Sequence, residues 1–357
     1  MHLDIQWAIV IAGALVGFTV GLTGMGGGAL MTPILVIFFH IIPSTAVSSD
    51  LIAAMVMKPV GGGVHVRRRT VRWELVRWLC MGSIPTAFAA VFLLNATGNQ
   101  DAIQNTTKNL LGATLMLAAA AMVFKSWLQG KRSAERRAKG EAVHTPGIRI
   151  AVKIIPTILI GAIGGTLVGL TSVGSGSIII ILLMLSYPEL RGAELVGTDL
   201  VQAIPLVTSA ALAHIIVGDF KLGLTASILI GAVPAVYLGA RMSSKAPDGV
   251  IRPALVFVLL ASGLKLVGWP ESSTALGVIL VVFVIVAFPI WGAIDAASHP
   301  VSTWEAAGQP RQTWIRWQAW LAPVGIGFGV AVAYFAKIRP QLVAAARPAV
   351  QADPVIV

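Results

Sequence analysis

Apolar runs, each close to the length that crosses a bilayer as helix, alternate with short polar turns along almost the whole chain. They predict helices over 5–22, 28–42, 46–66, 73–94 and 107–128, then over 150–170, 176–187, 194–217, 220–242 and 250–268, with two more over 274–294 and 318–337. Period-two alternation is absent, and backbone in lipid must satisfy its own hydrogen bonds. The fold class read from this is therefore all-α, a polytopic transmembrane helical bundle and not a barrel. The organisation that follows is a first five-helix repeat over 5–128, a basic cytoplasmic linker over 129–149, a second repeat over 150–268, and a C-terminal extension over 269–357.

The second group of helices repeats the first. The stretch "VGLTGMGGGAL" at 20–30 returns as "VGLTSVGSGSI" at 168–178, matching Gly21, Thr23, Gly26 and Gly28 to Gly169, Thr171, Gly174 and Gly176. After one inserted residue, "SSDL" (48–51) meets "GTDL" (197–200), His65 meets His214, and "GSIP" (82–85) meets "GAVP" (231–234). Each group has an odd number of crossings, so the second enters the membrane from the opposite side. Charge agrees: arginines follow His65, whereas "IIVGDF" follows His214. An inverted-topology repeat of this kind marks secondary transporters, whose site lies near the midplane between the halves.

Composition changes the picture little. The chain is 56% hydrophobic and 11% charged, with mean hydropathy +0.84. The net charge of +11 comes from short clusters between apolar runs and is read as a topology signal, not as a nucleic-acid surface. Arg67, Arg68, Arg69 and Arg72, then Lys131, Arg132, Arg136, Arg137 and Lys139, are placed inside, and "NATGNQDAIQNTTKN" outside. Carried onward, the count puts Arg241, Lys245 and Arg252 inside, "WPESST" outside and Arg311 with Arg316 inside, from an external N-terminus. Tryptophans 7, 73, 127, 269, 304, 314, 317 and 320 fall near predicted helix ends, where an interfacial belt is expected. The lone Cys80 offers no disulfide, and residues 5–22 read as a retained first helix and not a cleaved signal.

The glycine runs carry the candidate chemistry. A helix broken at Thr23, Gly24, Met25, Gly26, Gly27 and Gly28 restarts inside the membrane and turns unsatisfied N–H groups toward a cavity. The inverted copy at Thr171, Ser172, Gly174, Ser175, Gly176 and Ser177 points back at it. Two helix N-termini aimed at one space favour a small oxyanion, with the threonine and serine hydroxyls as further donors. The competing reading is that small residues simply let helices pack closely. No Gly-Lys-Ser/Thr follows, so this is not a nucleotide loop.

Lys58, about 18 Å along its helix, falls near the midplane, where it either binds the substrate anion or pairs with an acid such as Asp50. Asp50 and Asp199 occupy equivalent positions, preceded by Ser49 and Thr198; they cap helix starts, or carry protons and line a gate. His65 and His214 suit proton coupling or plain hydrogen bonding at helix ends. Neither a metal-ligand spacing nor a nucleophile with its base emerges, so the expectation is a non-enzyme without cofactor or metal.

Together "GLTGMGGG", "SSDLIAAMVMKPVGGGVHVRRRTVRWELV", "GSIP", "GLTSVGSGS", "VGTDLVQAIPLVTSAALAHIIVGDFKLGL" and "GAVPAVYLGARMS" resemble the sulfite exporter TauE/SafE permeases over roughly residues 5–268. The resemblance implies two related membrane halves and a substrate among sulfite, organosulfonates and other small sulfur-containing anions. The resulting expectation is an alternating-access secondary transporter of the bacterial inner membrane, exporting sulfite first. An anion channel, or an importer of another oxyanion such as thiosulfate, stands as the alternative. Its partners are then the anion, the lipid bilayer, and protons or a counter-ion. The linker and the extension are candidates for dimerisation or regulation, which makes a homodimer one expected assembly.

Overall fold

The computed structural model describes residues 5–23, 27–96, 98–138, 151–190, 192–218, 220–242, 248–268, 289, 291–293, 295–297, 299, 301–321 and 326–345. Among them the chain is helical, the one strand-like feature being an isolated bridge between Gly174 and Gly176. The first ten helices are α1 (Trp7–Thr23), α2 (Gly28–Ile37), α3 (Pro43–Arg67), α4 (Trp73–Asn95), α5 (Gln100–Ala138), α6 (Ile154–Thr171), α7 (Ile178–Ser186), α8 (Gly192–Val217), α9 (Leu222–Met242) and α10 (Asp248–Val267). Five stretches among the described residues are long and apolar enough to span a membrane, Trp73–Asn95, Gln100–Ser126, Ile154–Thr171, Gly192–Val217 and Leu222–Gly239.

Most helices follow the apolar pattern, but α5 departs from it at both ends. It starts seven residues earlier than the apolar run because the Asn99 carboxamide oxygen accepts the N–H groups of Asp101 (3.1 Å) and Ala102 (3.3 Å). It also runs on to Ala138, through the first part of the basic linker, where Lys, Arg, Ala and Glu are good helix formers. Contacts gather the chain into two compact units: residues 1–126, 143–246 and 258–269, and residues 127–142, 247–257 and 270–357.

In the first unit α1 lies along α9 and α6 lies along α4. Glycines set both pairings. A Cβ on Gly13 would meet the Ile228 carbonyl at 2.8 Å, and one on Gly17 the Ala232 carbonyl at 2.6 Å. Gly161 and Gly165 make the same approach to Leu79 and Ser83, their repeat equivalents, and Gly231 and Gly82 answer with the carbonyls of Val10 and Ile158. Lipid supplies no hydrophobic drive for helix association, so this backbone-to-backbone approach is where the packing energy comes from. The opposite faces are apolar and exposed in register as well: Trp7, Ile11 and Leu15 on α1, Ile155, Leu159 and Ile163 on α6.

Residue numbers rise together along α1 and α9, and along α6 and α4, so both pairs are parallel. The equivalent helices α3 and α8 instead run antiparallel: Gly62 packs on Val201 and Ile204, while Gly197 meets His65 and Thr70. A twofold axis perpendicular to the helices makes equivalent neighbours antiparallel. The arrangement is consistent with the inverted repeat read from charge and helix count.

The second unit includes α11 (Val301–Ala306), α12 (Arg311–Leu321), α13 (Ile326–Ala333), a π-helical turn at Tyr334–Ile338, and α14 (Arg339–Ala345). Most of the run expected at 274–294 lies outside the described residues. Asp295 accepts hydrogen bonds from Tyr334 Oη (2.8 Å) and Arg339 Nε (3.0 Å). Trp304 corrects the aromatic-belt expectation: it is 1% exposed and stacked on Tyr334 at 6.2 Å, because its short helix faces an apolar cluster with Phe335, Ile338 and Leu342.

Gly82→Leu and Gly231→Leu should each destabilise the purified protein by about 1–3 kcal/mol, since the helices can accept the added side chain only by separating. Gly63→Ala, with nothing within 4 Å of an added Cβ, should leave the thermal midpoint unchanged or raised. Unfolding followed by tryptophan fluorescence in detergent checks both.

Candidate functional site

The second glycine motif is a true interruption. Helix α6 ends at Thr171; Ser172 is left-handed (φ 60°), Gly174 and Gly176 take φ 134° and 89°, and α7 begins at Ile178. Side chains at φ values like those of the two glycines are strained, which is what the glycines relieve. Thr171 stitches the break locally: its hydroxyl donates to the Leu167 carbonyl (2.6 Å) and accepts the Val173 N–H (3.2 Å). In the first motif, Gly24, Met25 and Gly26 lie outside the described residues. On either side of them α1 ends at Thr23, whose hydroxyl donates to the Thr19 carbonyl (2.8 Å), and α2 begins at Gly28.

The two motifs meet. A Cβ on Gly28 would overlap the Ser172 carbonyl and come within 2.6 Å of Ser172 Oγ, so backbone touches backbone where the halves join. Asp50, on α3 and fully buried, fastens this junction from the side. One of its oxygens, Oδ2, accepts the hydroxyls of Thr32 (3.0 Å), just after the first motif, and Ser172 (2.6 Å), in the second. About two turns further along α3, Lys58 Nζ donates to Ser175 Oγ (2.5 Å). The first repeat's helix thus grips the second repeat's break at two points.

Asp199 on α8 is the repeat counterpart of Asp50 and equally buried, 1% exposed, and it accepts the Gly176 N–H. The second carboxylate oxygen of each, Oδ1, finds no donor among the described residues. Lys58 feels the field of both carboxylates, that of Asp199 more strongly. Buried charges without hydrogen-bond partners are costly, so a cluster of two carboxylates and one ammonium held this deeply is a functional candidate by default. Among the remaining predicted residues, Ser177 is buried at the start of α7 without a side-chain cap, and Gly27 lies beside Asp50 Oδ1.

Other predicted residues stand apart from this cluster. His65 Nδ1 is 3.0 Å from Thr70 Oγ1 at the far end of α3. Thr198 accepts the Arg72 N–H (3.1 Å), and the Arg72 guanidinium meets Glu194 at 2.8 Å. His214, buried on α8, donates Nε2–H to the Gly169 carbonyl at 3.0 Å. The hydroxyl of Ser49, equivalent to Thr198, is buried without a partner among the described residues.

Three participants escaped the sequence. Thr32, Ser83 and Gln202 are uncharged and sit inside apolar helices, so a search for ionisable groups passes over them. Gln202, one turn after Asp199, donates to Ser83 Oγ (2.7 Å), and its own carbonyl oxygen is buried without a donor among the described residues. The usable signal was a carboxamide in the middle of an otherwise apolar span.

Residues 9–266 match the sulfite exporter TauE/SafE family. Among curated proteins the chain is similar to the probable membrane transporter protein YjnA of Bacillus subtilis, 34% identical over 73% of this chain and 99% of that one. It is also similar to the probable membrane transporter protein YdhB of the same organism, 24% identical over 72% and 98%, and to MJ0441 of Methanocaldococcus jannaschii, so named too, 27% identical over 73% and 92%. No solved structure matches the chain.

The bonds of Asp50 carry a stability prediction. Asp50→Ala, which strands two buried hydroxyls and opens a void, should cost about 2–5 kcal/mol, whereas Asp50→Asn, whose carbonyl oxygen can accept both bonds, should stay within about 1 kcal/mol of the parent. Thermal unfolding in detergent compares them.

Proposed function

The match over residues 9–266 places this chain in the sulfite exporter TauE/SafE family, and from that premise of a multi-pass membrane transporter we propose that it is a secondary transporter exporting a small sulfur-containing anion, sulfite or an organosulfonate. The observation that carries the reading is Lys58 held on Ser175 at the break of the opposite repeat. An ammonium, a serine hydroxyl and glycine-lined backbone converge there, and all three bind anionic oxygens.

The threonines contribute differently from the serines. Thr23 and Thr171 spend their one hydroxyl proton on carbonyls of their own helices, Ser172 spends its own on Asp50, and the Gly176 N–H is given to Asp199, so Ser175 and Ser177, with the amide of Gly174, are the donors assigned to the anion. An arriving oxyanion replaces Ser175 as the partner of Lys58. Alternating access follows from the repeat: the site stands at the junction of two equivalent halves, which rock about it to open on either face. We place the protein in the bacterial inner membrane, N-terminus outside, from its loop charges.

Reconstituted protein should show saturable counterflow of ³⁵S-labelled sulfite or methanesulfonate. Lys58→Ala should lower it at least about tenfold, the value of one charge-assisted hydrogen bond, in protein that still folds in detergent although with a lower thermal midpoint. Anion flux without counterflow would mean a channel, and undiminished counterflow in Lys58→Ala would remove the site.

A further inference from the structure

Donors and acceptors are separated at the site, and the spare acceptors lie on one helix. Lys58 Nζ, Ser175, Ser177 and the Gly174 amide supply donors for an anionic group. On α8, Asp199 and Gln202 are 1% and 0% exposed, and Asp199 Oδ1 and Gln202 Oε1 have no donor among the described residues. A buried oxygen left unpaired is costly, and a plain alkanesulfonate has no proton to give it. Resting on the transport reading above, we propose that the organosulfonate carried is a short aminoalkanesulfonate, a zwitterion whose sulfonate meets Lys58 and whose ammonium meets Asp199 and Gln202.

Several contacts put these two oxygens beside the break. Asp199 accepts the Gly176 N–H, and Gly176 follows Ser175, whose Oγ holds Lys58. Gln202 comes three residues after Asp199, on the same face of α8. Its Nε2 is engaged by Ser83 Oγ (2.7 Å), which leaves Oε1 as the free arm of the carboxamide. Ser83 in turn packs its backbone on Gly165 of α6, while Ile179, at the start of α7, covers the neighbouring Gly164. Gln202 and the end of the break therefore stand at one level. Consecutive Cα atoms are about 3.8 Å apart, so a donor group at Ser175 and an acceptor group at Gly176 call for a ligand chain of about two or three carbons.

Charge points the same way. Asp50 and Asp199 both act on Lys58, and Lys125 adds its field at Asp199 from α5. Two carboxylates and two ammonium groups cancel, so a monovalent anion leaves one charge uncompensated at a buried site, whereas a zwitterion leaves none. The acceptor pair belongs to the second repeat alone: the position equivalent to Gln202 is Ala53, and Asp50 Oδ1 faces Gly27 of the first motif. Sulfite and plain alkanesulfonates use the donor group only, and the acceptor group selects the amine-bearing ligand over them.

The test uses the full chain in liposomes at neutral pH, where the amine is charged. Counterflow of ³⁵S-labelled aminoethanesulfonate, hydroxyethanesulfonate, ethanesulfonate and sulfite is measured side by side; failure of all four removes the transport reading, and this inference with it. Aminoethanesulfonate should half-saturate at least about tenfold below ethanesulfonate, the value of one charge-assisted hydrogen bond. Its N-acetyl derivative, which keeps the sulfonate and loses the positive charge, should lose that advantage. In Gln202→Leu and in Asp199→Asn the ratio between the amine and the plain sulfonate should fall toward one, in protein that still unfolds cooperatively in detergent. Equal half-saturation by aminoethanesulfonate and ethanesulfonate in the parent overturns the inference while leaving the transporter intact, and it needs no variant. Hydroxyethanesulfonate matching the amine overturns it as well, and so does an amine preference that survives in both variants.

Discussion

A polypeptide that breaks its helix inside an apolar bundle must find partners for the amides and carbonyls it sets free, because hydrocarbon offers none. Here two breaks solve the problem for each other. Gly28 lies against the Ser172 backbone, and Asp50 accepts a hydroxyl from the segment on either side. Two positive-φ glycines and one left-handed serine let the second segment turn, and Thr171 ties its first turn back to α6. Each half is thus completed by the other, and the polar centre is formed from both.

The scaffold is symmetric, but the chemistry placed on it is not. The glycine contacts of α1 with α9 recur between α6 and α4, and the exposed apolar faces of α1 and α6 are in register. In the centre, Lys58 has Val207 as its counterpart, Gln202 has Ala53, and Ser172 has Gly24. A lysine at both positions would place two ammonium groups together in a low dielectric, and a valine at both would leave two carboxylates facing each other. Breaking the symmetry at Lys58 gives a centre in which one ammonium serves two buried carboxylates.

Much of the fold was legible because lipid leaves the chain few choices. Apolar runs of bilayer length and a recurring glycine motif located the ten helices and the two breaks, and the pairing of Asp50 with Asp199 followed from register. The early start of α5 was hidden by a polar stretch that Asn99 caps, and its late end by basic residues that happen to be good helix formers. Lys58 was visible as a charge in an apolar span, but its partner was not, since Ser175 belongs to the other repeat and becomes its neighbour only through α3 crossing the second break. Thr32 and Gln202 were passed over because their meaning depends on what they face.

The two ends of the α3 and α8 pair are held differently, although the sequence makes them equivalent. Where α3 ends and α8 begins, Arg72 bridges to Glu194 and its N–H reaches the Thr198 hydroxyl, with His65 and Thr70 beside Gly197. At the other end the corresponding residues are Lys221, Thr45 and Ser49, and the Ser49 hydroxyl is buried without a partner among the described residues. The first end is therefore tied by a salt bridge that Lys221 and Thr45 have no charge pair to reproduce. Differences of this size, a salt bridge and one or two hydrogen bonds, are enough to set the two ends apart in energy. Because the same Asp50 and Lys58 that grip the break also lie on α3, a change of charge at the centre is felt by the helix that leads to the Arg72 end.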